Sequence, residues 1–543
     1  MAKQQSLSLL PNDDPDLFTY TSGRYLYNET RRLSERSIKF NVQALKDIAS
    51  RSLKRGAVAS LRKLAEGGFN RVFLLTFEDG FEVIAKIPYN ISVPERLATA
   101  SEVATMDFLS SKGLPVPRIH AWSADSNNPV GVEYIIMQKA PGKPLEDRWF
   151  HLTQKERVCF MESYIRLEGK LFELRLNAYG SIYYKDALPS NLQLDLHPPV
   201  SSERKDDTDR FCIGPTTDYM FWLGRYSRLA IDRGPWAKSS DYIRSIGERE
   251  LTWTRSSGQA QTLKFPHNTL LKGQISPSIY VDLLEKYMSV SPHLLPAGHE
   301  NISNRPTLRH PDLNPTNILI SDSCEISCFI DWQHTTVLPF CLTAGAPPMF
   351  KNPDPQPPTD LRQPTLPTDY SSLSPNEKSV ADELHRRRML FWLYIVFTGN
   401  RNRDHLAVLR VPMLYLRQEL VDRAGRSWNG NYITLKGLLI RAIEHWDQIA
   451  LNTGDCPIHF IDTEKEEFFR IEDAWINLNI LVEHWRSVLY HVSQDGWVRN
   501  EVFQDAVEKN RELKETWLSE GEDDEDRECV EKGWPFQNRE ENI

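Results

Sequence analysis

Alternation of apolar and polar residues near the N-terminus predicts a small antiparallel sheet. Four stretches read as strands because of this alternation and of the turn residues between them: 61–66, 71–77, 81–88 and 133–138. Gly67 and Gly68 occupy the first turn, where glycines would let backbone amides approach a phosphate closely. Residues 97–109 follow a helical pattern. This part of the chain is therefore predicted to form a β-rich lobe with one helix.

Most of the later chain has an apolar period of 3.6 residues, which predicts helices. The main helical segments are 153–176, 280–287, 376–397, 403–424, 431–449 and 464–490. Residues 185–260 are predicted to be an irregular, polar insertion, and the proline-rich residues 341–375 a second loop-like one. The chain is thus predicted to be an α+β protein with a small β-rich N-lobe and a large helical C-lobe carrying insertions.

The pattern divides the chain into four predicted parts. They are an N-terminal extension (1–55), the N-lobe (56–138), the C-lobe (139–518) and an acidic tail (519–543). We expect the tail to be disordered, because the run Glu520–Asp526 holds too few apolar residues to offset the entropy of ordering it.

Composition adds limits on function. A chain of 543 residues with 40% hydrophobic content suits a two-lobed domain with a substantial core. The net charge of −9 argues against general nucleic-acid binding. No apolar run approaches ~18 residues, so no membrane span is expected. Seven scattered cysteines fit a reducing compartment.

The segment from His310 to Asn317, together with Ile330-Asp331-Trp332, carries the most informative chemistry. Asp312 can accept a proton from a hydroxyl, and Asn317, five residues later, can reach a metal ion through its amide oxygen. Asp331 ends a second apolar strand and can hold a metal that bridges nucleotide phosphates. Acidic groups at both mouths of a predicted hairpin favour phosphoryl transfer over the alternative, a polar loop whose side chains satisfy turns.

Lys86 and Glu102 are predicted to bind the phosphates of the same nucleotide. Lys86 lies on the third predicted strand, and Glu102 lies sixteen residues later on the predicted helix. A strand lysine paired with a helix glutamate holds the α- and β-phosphates in kinase-type sites. Taken alone, Lys86 could be a solvent-facing strand residue and Glu102 an exposed helix residue. Their order along the chain, with Asp312, Asn317 and Asp331, favours the functional interpretation.

These motifs resemble those of the aminoglycoside phosphotransferase (phosphotransferase enzyme) family, whose fold is protein-kinase-like. The resemblance is carried by Gly67-Gly68-Phe69-Asn70-Arg71-Val72-Phe73, Ala85-Lys86, Glu102, His310-Pro311-Asp312 through Asn317, and Ile330-Asp331-Trp332. Within that family, residues 20–26, 179–183 and 331–335 are similar to the fungal group called altered inheritance of mitochondria protein 9. The resemblance covers roughly the first 350 residues well.

The resemblance implies ATP and Mg²⁺ as cofactors and suggests a role for each motif. Asp312 would position and deprotonate an acceptor hydroxyl, Asn317 and Asp331 would hold Mg²⁺, and His310 would brace the catalytic loop. The residues implied to bind the nucleotide are Gly67, Gly68, Phe69, Asn70, Lys86, Glu102, Met137, Gln138 and Lys139. The last three lie at a hinge whose backbone would meet the adenine.

The implied activity is transfer of the γ-phosphate of ATP to a hydroxyl of an unidentified small-molecule acceptor. Two departures from the family pattern bear on it: Pro311 stands where members usually have glycine, and Gln333 where a second acidic residue is often found. The alternative is a kinase-fold nucleotide-binding or scaffold protein with little or no transfer activity. A purely structural helical protein is disfavoured by the ordered site residues.

Two expectations about location remain open. The resemblance implies a mitochondrial protein. The N-terminus is a poor transit peptide, because Asp13, Asp14 and Asp16 come early and no amphipathic, arginine-rich stretch is present. A cytoplasmic location is therefore the alternative.

Overall fold

A computed structural model describes residues 15–198, 205–296, 298, 301–355, 358, 360–451 and 454–541. Residues 1–14 of the expected N-terminal extension, with Asp13 and Asp14, and residues 542–543 of the expected tail lie outside the described residues.

The described strands are β1 (Arg24–Tyr25), β2 (Val58–Glu66), β3 (Asn70–Phe77), β4 (Glu82–Pro88), β5 (Ile119–Ser123), β6 (Tyr134–Gln138), β7 (Lys143–Pro144), β8 (Ser181–Tyr184), β9 (Leu194–Asp195), β10 (Phe211–Gly214), β11 (Pro306–Leu308), β12 (Ile318–Ile320), β13 (Ile326–Phe329), β14 (Val337–Pro339) and β15 (Trp497–Val498). The α-helices in the same residues are α1 (Glu29–Glu35), α2 (Val42–Leu53), α3 (Leu97–Ser111), α4 (Gln154–Glu173), α5 (Lys205–Arg210), α6 (Ser239–Ser257), α7 (His267–Leu270), α8 (Pro277–Val290), α9 (Phe340–Thr343), α10 (Pro375–Arg401), α11 (Arg403–Leu409), α12 (Leu414–Ala424), α13 (Ile433–Glu444), α14 (Trp446–Ile449), α15 (Asp462–Val488), α16 (Phe503–Glu520) and α17 (Asp524–Gly533).

The N-lobe is built on a five-stranded antiparallel sheet in the order β2-β3-β4-β6-β5. The β3–β4 turn closes through Gly80, whose positive φ of 81° is a conformation that glycine adopts without strain. Phe73 and Phe77 from β3 pack into a buried apolar cluster with Leu45 of α2. On α3, Val103 packs against Ile135 of β6. The central position of β4 explains why a lysine on it is buried.

The C-lobe has two large apolar clusters, one that includes α4 and α10 and one that includes α6, α8, α12 and α13. A short hairpin, β12–β13, packs beside the first cluster and pairs along its other edge with β7, which follows the N-lobe sheet directly. The predicted α+β architecture, with a small β-rich N-terminal part and a larger helical C-terminal part, is confirmed. Among the described residues, no helix is both long and apolar enough to cross a membrane.

The expectation that residues 185–260 are irregular is wrong for 239–257, which form α6. This helix buries Tyr242, Ile243 and Ile246 in the second cluster. Its pattern was obscured because Arg249 and Glu250 are also buried, where they form an ion pair with each other at 2.8 Å. A paired charge on the inner face breaks an apolar period without breaking the helix.

The expectation of a disordered tail is also wrong within the described residues. The acidic run begins α17, where Asp523 caps the helix by accepting from the Asp526 amide, and negative charge is favourable at this end. Trp534, only 1% exposed, then packs against Phe265 and Trp485. The apolar residues just beyond the acidic run provide the burial that the run itself lacks.

The N-terminal extension connects to both ends of the fold. Thr21 donates its backbone amide to Glu66 of β2, at 2.8 Å. β1 pairs antiparallel with β15, far along the chain. Arg32 of α1 forms an ion pair with Glu541 at 2.6 Å. These contacts hold the extension against the N-lobe sheet and the C-terminal helices together.

Candidate active site

Three charged groups from separate elements meet between the lobes. Lys86 of β4 places its Nζ 2.7 and 2.9 Å from the two carboxylate oxygens of Glu102 on α3, and 2.6 Å from Asp331 Oδ1. Lys86 is 5% exposed and Glu102 is 2% exposed. Both alternatives in which these two side chains face solvent are therefore wrong. The structure brings three of the predicted site residues together.

The electrostatics of this cluster favour the charged forms of Lys86 and Asp331, whereas burial raises the pKa of Glu102 above its ordinary value despite the neighbouring Lys86. Burial lowers the pKa of Lys86, but the Asp331 and Glu102 carboxylates outweigh burial, so the pKa lies above its ordinary value. Burial raises the pKa of Asp331, and the Lys86 ammonium outweighs it, so the pKa lies below its ordinary value. Lys86 and Asp331 therefore remain charged at neutral pH.

His310 fastens the loop that carries Asp312. Its Nε2 donates to the Ile330 carbonyl at 2.9 Å, and its Nδ1 accepts from the Asp312 amide at 3.2 Å. The ring packs edge-on to Trp332, with centroids 4.6 Å apart. Burial lowers the pKa of His310, consistent with a neutral ring that donates through one nitrogen and accepts through the other.

Asn317 lies between Asp312 and Asp331. Its side-chain Nδ2 donates to the Asp312 backbone carbonyl at 2.9 Å, and the backbone carbonyl of Asn317 accepts from the Ile330 amide at 3.0 Å. The β12–β13 hairpin thus brings Asn317 and Asp331 together at its open end, rather than at two separate mouths, because Ile318 pairs with Phe329. Asp312 is exposed beside them. Asp331 adopts a left-handed backbone conformation with φ of 64°. Residues at functional sites often have such a strained backbone.

The predicted nucleotide-binding turn lies close to the C-lobe. Gly67 and Gly68 are exposed between β2 and β3, and a Cβ built on Gly68 would meet nothing within 4 Å. Asn70, in contrast, is buried, and its Nδ2 donates to Gln333 Oε1 at 2.6 Å. Its Oδ1 is buried without a hydrogen-bond partner in the described part of the chain. Asn70 therefore connects the glycine turn to the segment after Asp331.

Phe69 reinforces this connection. Its ring packs edge-on against Tyr219 and His334, with centroids 5.1 and 5.2 Å apart. His334 is held in turn by a hydrogen bond of 2.9 Å to the Val93 carbonyl. Sequence reasoning missed Tyr219, because it lies in the region expected to be an irregular insertion. For the contacts of Asn70 with Gln333 and of Phe69 with His334, the available signal was the position of Gln333 and His334 just after Asp331.

The three predicted hinge residues lie at the end of β6 and just after it. Met137 is buried and pairs with Ile84 of β4, whereas Gln138 and Lys139 are exposed. Gln138 donates its backbone amide to the Arg118 carbonyl at 2.8 Å, and Lys139 forms an ion pair with Glu82. The hinge segment therefore lies beside the first residues of β4, the strand that carries Lys86.

The oxygen donors of Asn317 and Asp331 suit Mg²⁺. This cation usually takes only one or two protein ligands and completes its shell with water and substrate phosphates. Within the described ranges, no group of three or more His, Cys, Asp and Glu side chains could hold a metal ion. Asn317 and Asp331 therefore fit a Mg²⁺ site with two protein ligands, in which water and substrate phosphates supply the other ligands.

A β-sheet lobe with a buried lysine–glutamate pair, joined to a helical lobe whose loop and hairpin carry the acidic groups, is a protein-kinase-like fold. Similar solved structures include APH(2'')-IIa in a complex with streptomycin and ATP (TM-score 0.35, 12% identity, 74% of this chain and 97% of that one). Another is the aminoglycoside phosphotransferase APH(4)-Ia (TM-score 0.33, 14% identity, 71% and 100%). Likeness at this level does not by itself assign an activity.

The family is shown by sequence. This chain belongs to the family of the subtelomeric hrmA-associated cluster protein of Aspergillus fumigatus, with which it is 33% identical over 518 residues, 89% of this chain and 97% of that protein. It is also similar to altered inheritance of mitochondria protein 9 of Eremothecium gossypii (26% identity, 85% of this chain and 78% of that protein) and of Saccharomyces cerevisiae (26%, 84% and 75%). No family model matches the chain.

Proposed function

We propose that this protein is a phosphotransferase that uses ATP and Mg²⁺ to phosphorylate a hydroxyl of a small-molecule acceptor. The observation that carries the proposal is the cluster of Lys86, Glu102 and Asp331 beside the loop of Asp312 and Asn317. A purely structural reading does not account for a lysine and two carboxylates gathered from β4, α3 and the end of a C-lobe hairpin.

Each residue has a defined task in this proposal. Lys86, oriented by Glu102, binds the α- and β-phosphates, and the glycine turn covers the triphosphate. Asp312, exposed beside the cluster, accepts the proton of the acceptor hydroxyl as its oxygen attacks the γ-phosphorus. The bond from that phosphorus to the bridging β-phosphate oxygen breaks, and ADP is the leaving group. Mg²⁺, held by Asn317 and Asp331, would supply positive charge against the phosphoryl oxygens. His310 keeps Asp312 in place through its backbone amide.

The contact between Lys86 and Asp331 has a consequence for binding. Asp331 Oδ1 is engaged by the ammonium at 2.6 Å. A carboxylate that holds a cation must share or give up this contact, and the phosphates then take its place on Lys86. Nucleotide and metal ion are therefore expected to bind together rather than independently.

Nucleotide binding tests the proposal first. With Mg²⁺ present, ATP at a hundred- to thousandfold excess over its Kd should raise the free energy of unfolding by about 2–4 kcal/mol, which a thermal melt detects as a higher Tm. Lys86→Ala should remove this effect. The matched control is Lys143→Ala, because Lys143 pairs only with exposed Asp322 on the surface. Wild-type protein that gains no stability in millimolar ATP contradicts the proposed grip on the phosphates.

Transfer is tested with γ-labelled ATP against a library of hydroxyl-bearing metabolites. Label should move to one class of acceptor, and Asp312→Ala should slow this transfer by roughly 10²–10⁴ while leaving the ATP-dependent stabilisation intact. A transfer rate that is unchanged in Asp312→Ala contradicts the assignment of the base.

One observation favours the second candidate, a nucleotide-binding protein with little or no transfer. Gln333, at a position where an acidic residue could assist the metal, is instead bonded to Asn70. The site then offers a single carboxylate, Asp331, to the metal. ATP-dependent stabilisation without transfer to any acceptor, and without an effect of Asp312→Ala, would support this candidate.

We further propose a mitochondrial location. The support is that relatives at 22–26% identity carry the word mitochondrial in their names. Imaging of the full chain with a C-terminal fluorescent tag, beside a matrix marker, tests it. A uniformly cytoplasmic signal would support the alternative.

A further inference from the structure

A single buried carboxylate behind the catalytic loop collects three donors. Glu168 of α4 accepts from Arg309 Nη2 at 2.7 Å and from the Tyr164 hydroxyl at 2.7 Å. The Tyr394 hydroxyl of α10 lies 3.2 and 3.3 Å from its two oxygens. Glu168 and Tyr394 are both fully buried. None of these four residues belongs to the motifs from which the site was predicted.

Arg309 connects this group to the site. It directly precedes His310, the residue that fastens Asp312. Its second terminal nitrogen, Nη1, donates to the Thr343 carbonyl at 2.6 Å. The guanidinium therefore joins α4 to the end of α9 and fixes the backbone at the point where the catalytic loop begins.

A second set of contacts supports the first. The Tyr394 hydroxyl also contacts the Gly345 carbonyl at 2.9 Å, and His405 Nε2 accepts from the Gly345 amide at 3.1 Å. Burial, followed by the nearby Arg309 charge, lowers the pKa of His405 to about 3, so its ring is neutral. Among the described residues, the ion pair that Glu168 forms is the one with Arg309, at 2.7 Å.

Such a group is a costly way to fill a core. Desolvating two charges offsets most of their attraction, and apolar side chains of the same volume often stabilise a core equally well or better. A buried ion pair does, however, hold its partners in one geometry, since charge-assisted hydrogen bonds are directional and no water competes for them there. Its place next to the catalytic loop indicates that geometry, rather than stability, is what it provides.

We infer that Glu168, Arg309, Tyr164 and Tyr394 are positioning residues that hold the catalytic loop, and with it Asp312, in register with the Lys86–Asp331 cluster. This inference rests on the proposed function for its catalytic meaning. Its structural content, an ordered loop that depends on a carboxylate on α4, stands independently of any turnover.

The chain offers a matched control. Glu250 of α6 is also fully buried, and it accepts from Arg249 Nε at 2.8 Å and from the Tyr226 hydroxyl at 2.7 Å. This second group likewise joins a fully buried carboxylate to an arginine and a tyrosine hydroxyl, although the Arg249 side chain is 1% exposed and that of Arg309 is 16% exposed. The hydrogen bonds of its ion pair reach Tyr226 and the Gly425 carbonyl, not the catalytic loop. The test pair is therefore E168Q/R309M and E250Q/R249M, each of which removes one buried ion pair without leaving a charge unpaired.

Two measurements on the full chain decide the inference. Hydrogen exchange of amides in 307–317 should be about tenfold faster or more in E168Q/R309M and unchanged in E250Q/R249M. With water as the acceptor, the kcat for hydrolysis of ATP in the presence of Mg²⁺ should fall by about 10²-fold in E168Q/R309M, as for a displaced catalytic group. KM for ATP should stay within about twofold, because Lys86 and Glu102 are untouched. R309K should recover part of the kcat lost in R309M.

The outcomes separate this inference from the proposed function. Unchanged loop exchange in a folded E168Q/R309M, or equal effects in the two double variants, overturns the positioning role. If wild type neither hydrolyses ATP nor transfers its γ-phosphate to any acceptor of the library, the proposed activity fails, while the exchange measurement still decides the role of the group. If E168Q/R309M does not fold, Y394F, which keeps the ring and removes only the hydroxyl, should accelerate loop exchange, and unchanged exchange in Y394F overturns the inference.

Discussion

Replacing Lys86 by methionine should destabilise the protein in a way that depends on pH. The change leaves Glu102, 2% exposed, without the ammonium that lies 2.7 and 2.9 Å away. Removing one partner of a buried ion pair costs about 3–5 kcal/mol, because the remaining charge is unpaired. Methionine keeps most of the side-chain volume, so a cavity adds little. We expect a loss of about 3 kcal/mol at pH 8.

The direction of the pH dependence follows from the pKa of Glu102. Burial raises this pKa, Lys86 lowers it and Asp331 raises it. Without Lys86, both main remaining influences raise it above the ordinary value of about 4.3. The folded state then binds more protons than the unfolded state, so the variant is most stable in acid and loses stability as the pH rises through the folded-state pKa. In wild type, the lowered pKa of Asp331 has the opposite effect on the free energy of unfolding, because the stabilisation from its ion pair is lost as the pH falls.

Thermal melts at pH 5.5 and pH 8 measure this effect. The difference in Tm between wild type and Lys86→Met should widen from the lower to the higher pH. The double variant Lys86→Met with Glu102→Leu should narrow the gap at pH 8, since the buried carboxylate of Glu102 is gone and the Asp331 side chain, 41% exposed, can be solvated without Lys86, yet it should gain no stability from ATP. A deficit of equal size at both pH values would refute the reasoning, because it would mean that Glu102 does not titrate with the loss of its partner.

Three further predictions concern catalysis, the C-terminus and the hinge. Asp312→Ala should lower turnover by roughly 10²–10⁴ with little change in ATP affinity, as measured by single-turnover transfer and by calorimetry. Trp534→Ala should cost about 3–5 kcal/mol in denaturant unfolding, because its indole is fully buried, whereas Leu361→Ala, 65% exposed, should stay within about 0.5 kcal/mol. Gly142→Ala should destabilise more than Gly273→Ala. Both glycines have positive φ, but only at Gly142 would a new Cβ meet other atoms, at 2.3 and 2.6 Å, and equal Tm losses would contradict the clash.

Much of the candidate site was predictable because its residues lie on regular elements or directly beside them. The strand with Lys86, the helix with Glu102 and the hairpin between Asn317 and Asp331 each follow from local periodicity. Once the order of the elements is known, their side chains can converge in few ways. The pairing of Lys86 with Glu102 is therefore as expected, whereas its direct contact with Asp331 is a further fact from the structure.

The contacts that were not predicted join residues with no local signal. Asn70 and Gln333 are 263 positions apart, and either amide alone reads as an ordinary polar residue. Glu168 and Arg309 lie 141 positions apart, and charged residues are expected at the surface unless their partner is known. The apolar residues of α17 and of the segment after it were hidden by the acidic run before them. In each case tertiary partners, not local preference, determine the environment.

The pairing of β1 with β15 sets an order of events during synthesis. Arg24–Tyr25 leave the ribosome early, but their partners, Trp497–Val498, are made about 470 residues later. At ~5–20 residues per second, the wait is roughly half a minute to a minute and a half. Throughout that time Arg24–Tyr25 lack their partner strand and stay accessible to chaperones and to targeting factors, whereas Thr21 can already reach Glu66 of β2. The N-terminal extension therefore reaches its final contacts in two separate steps.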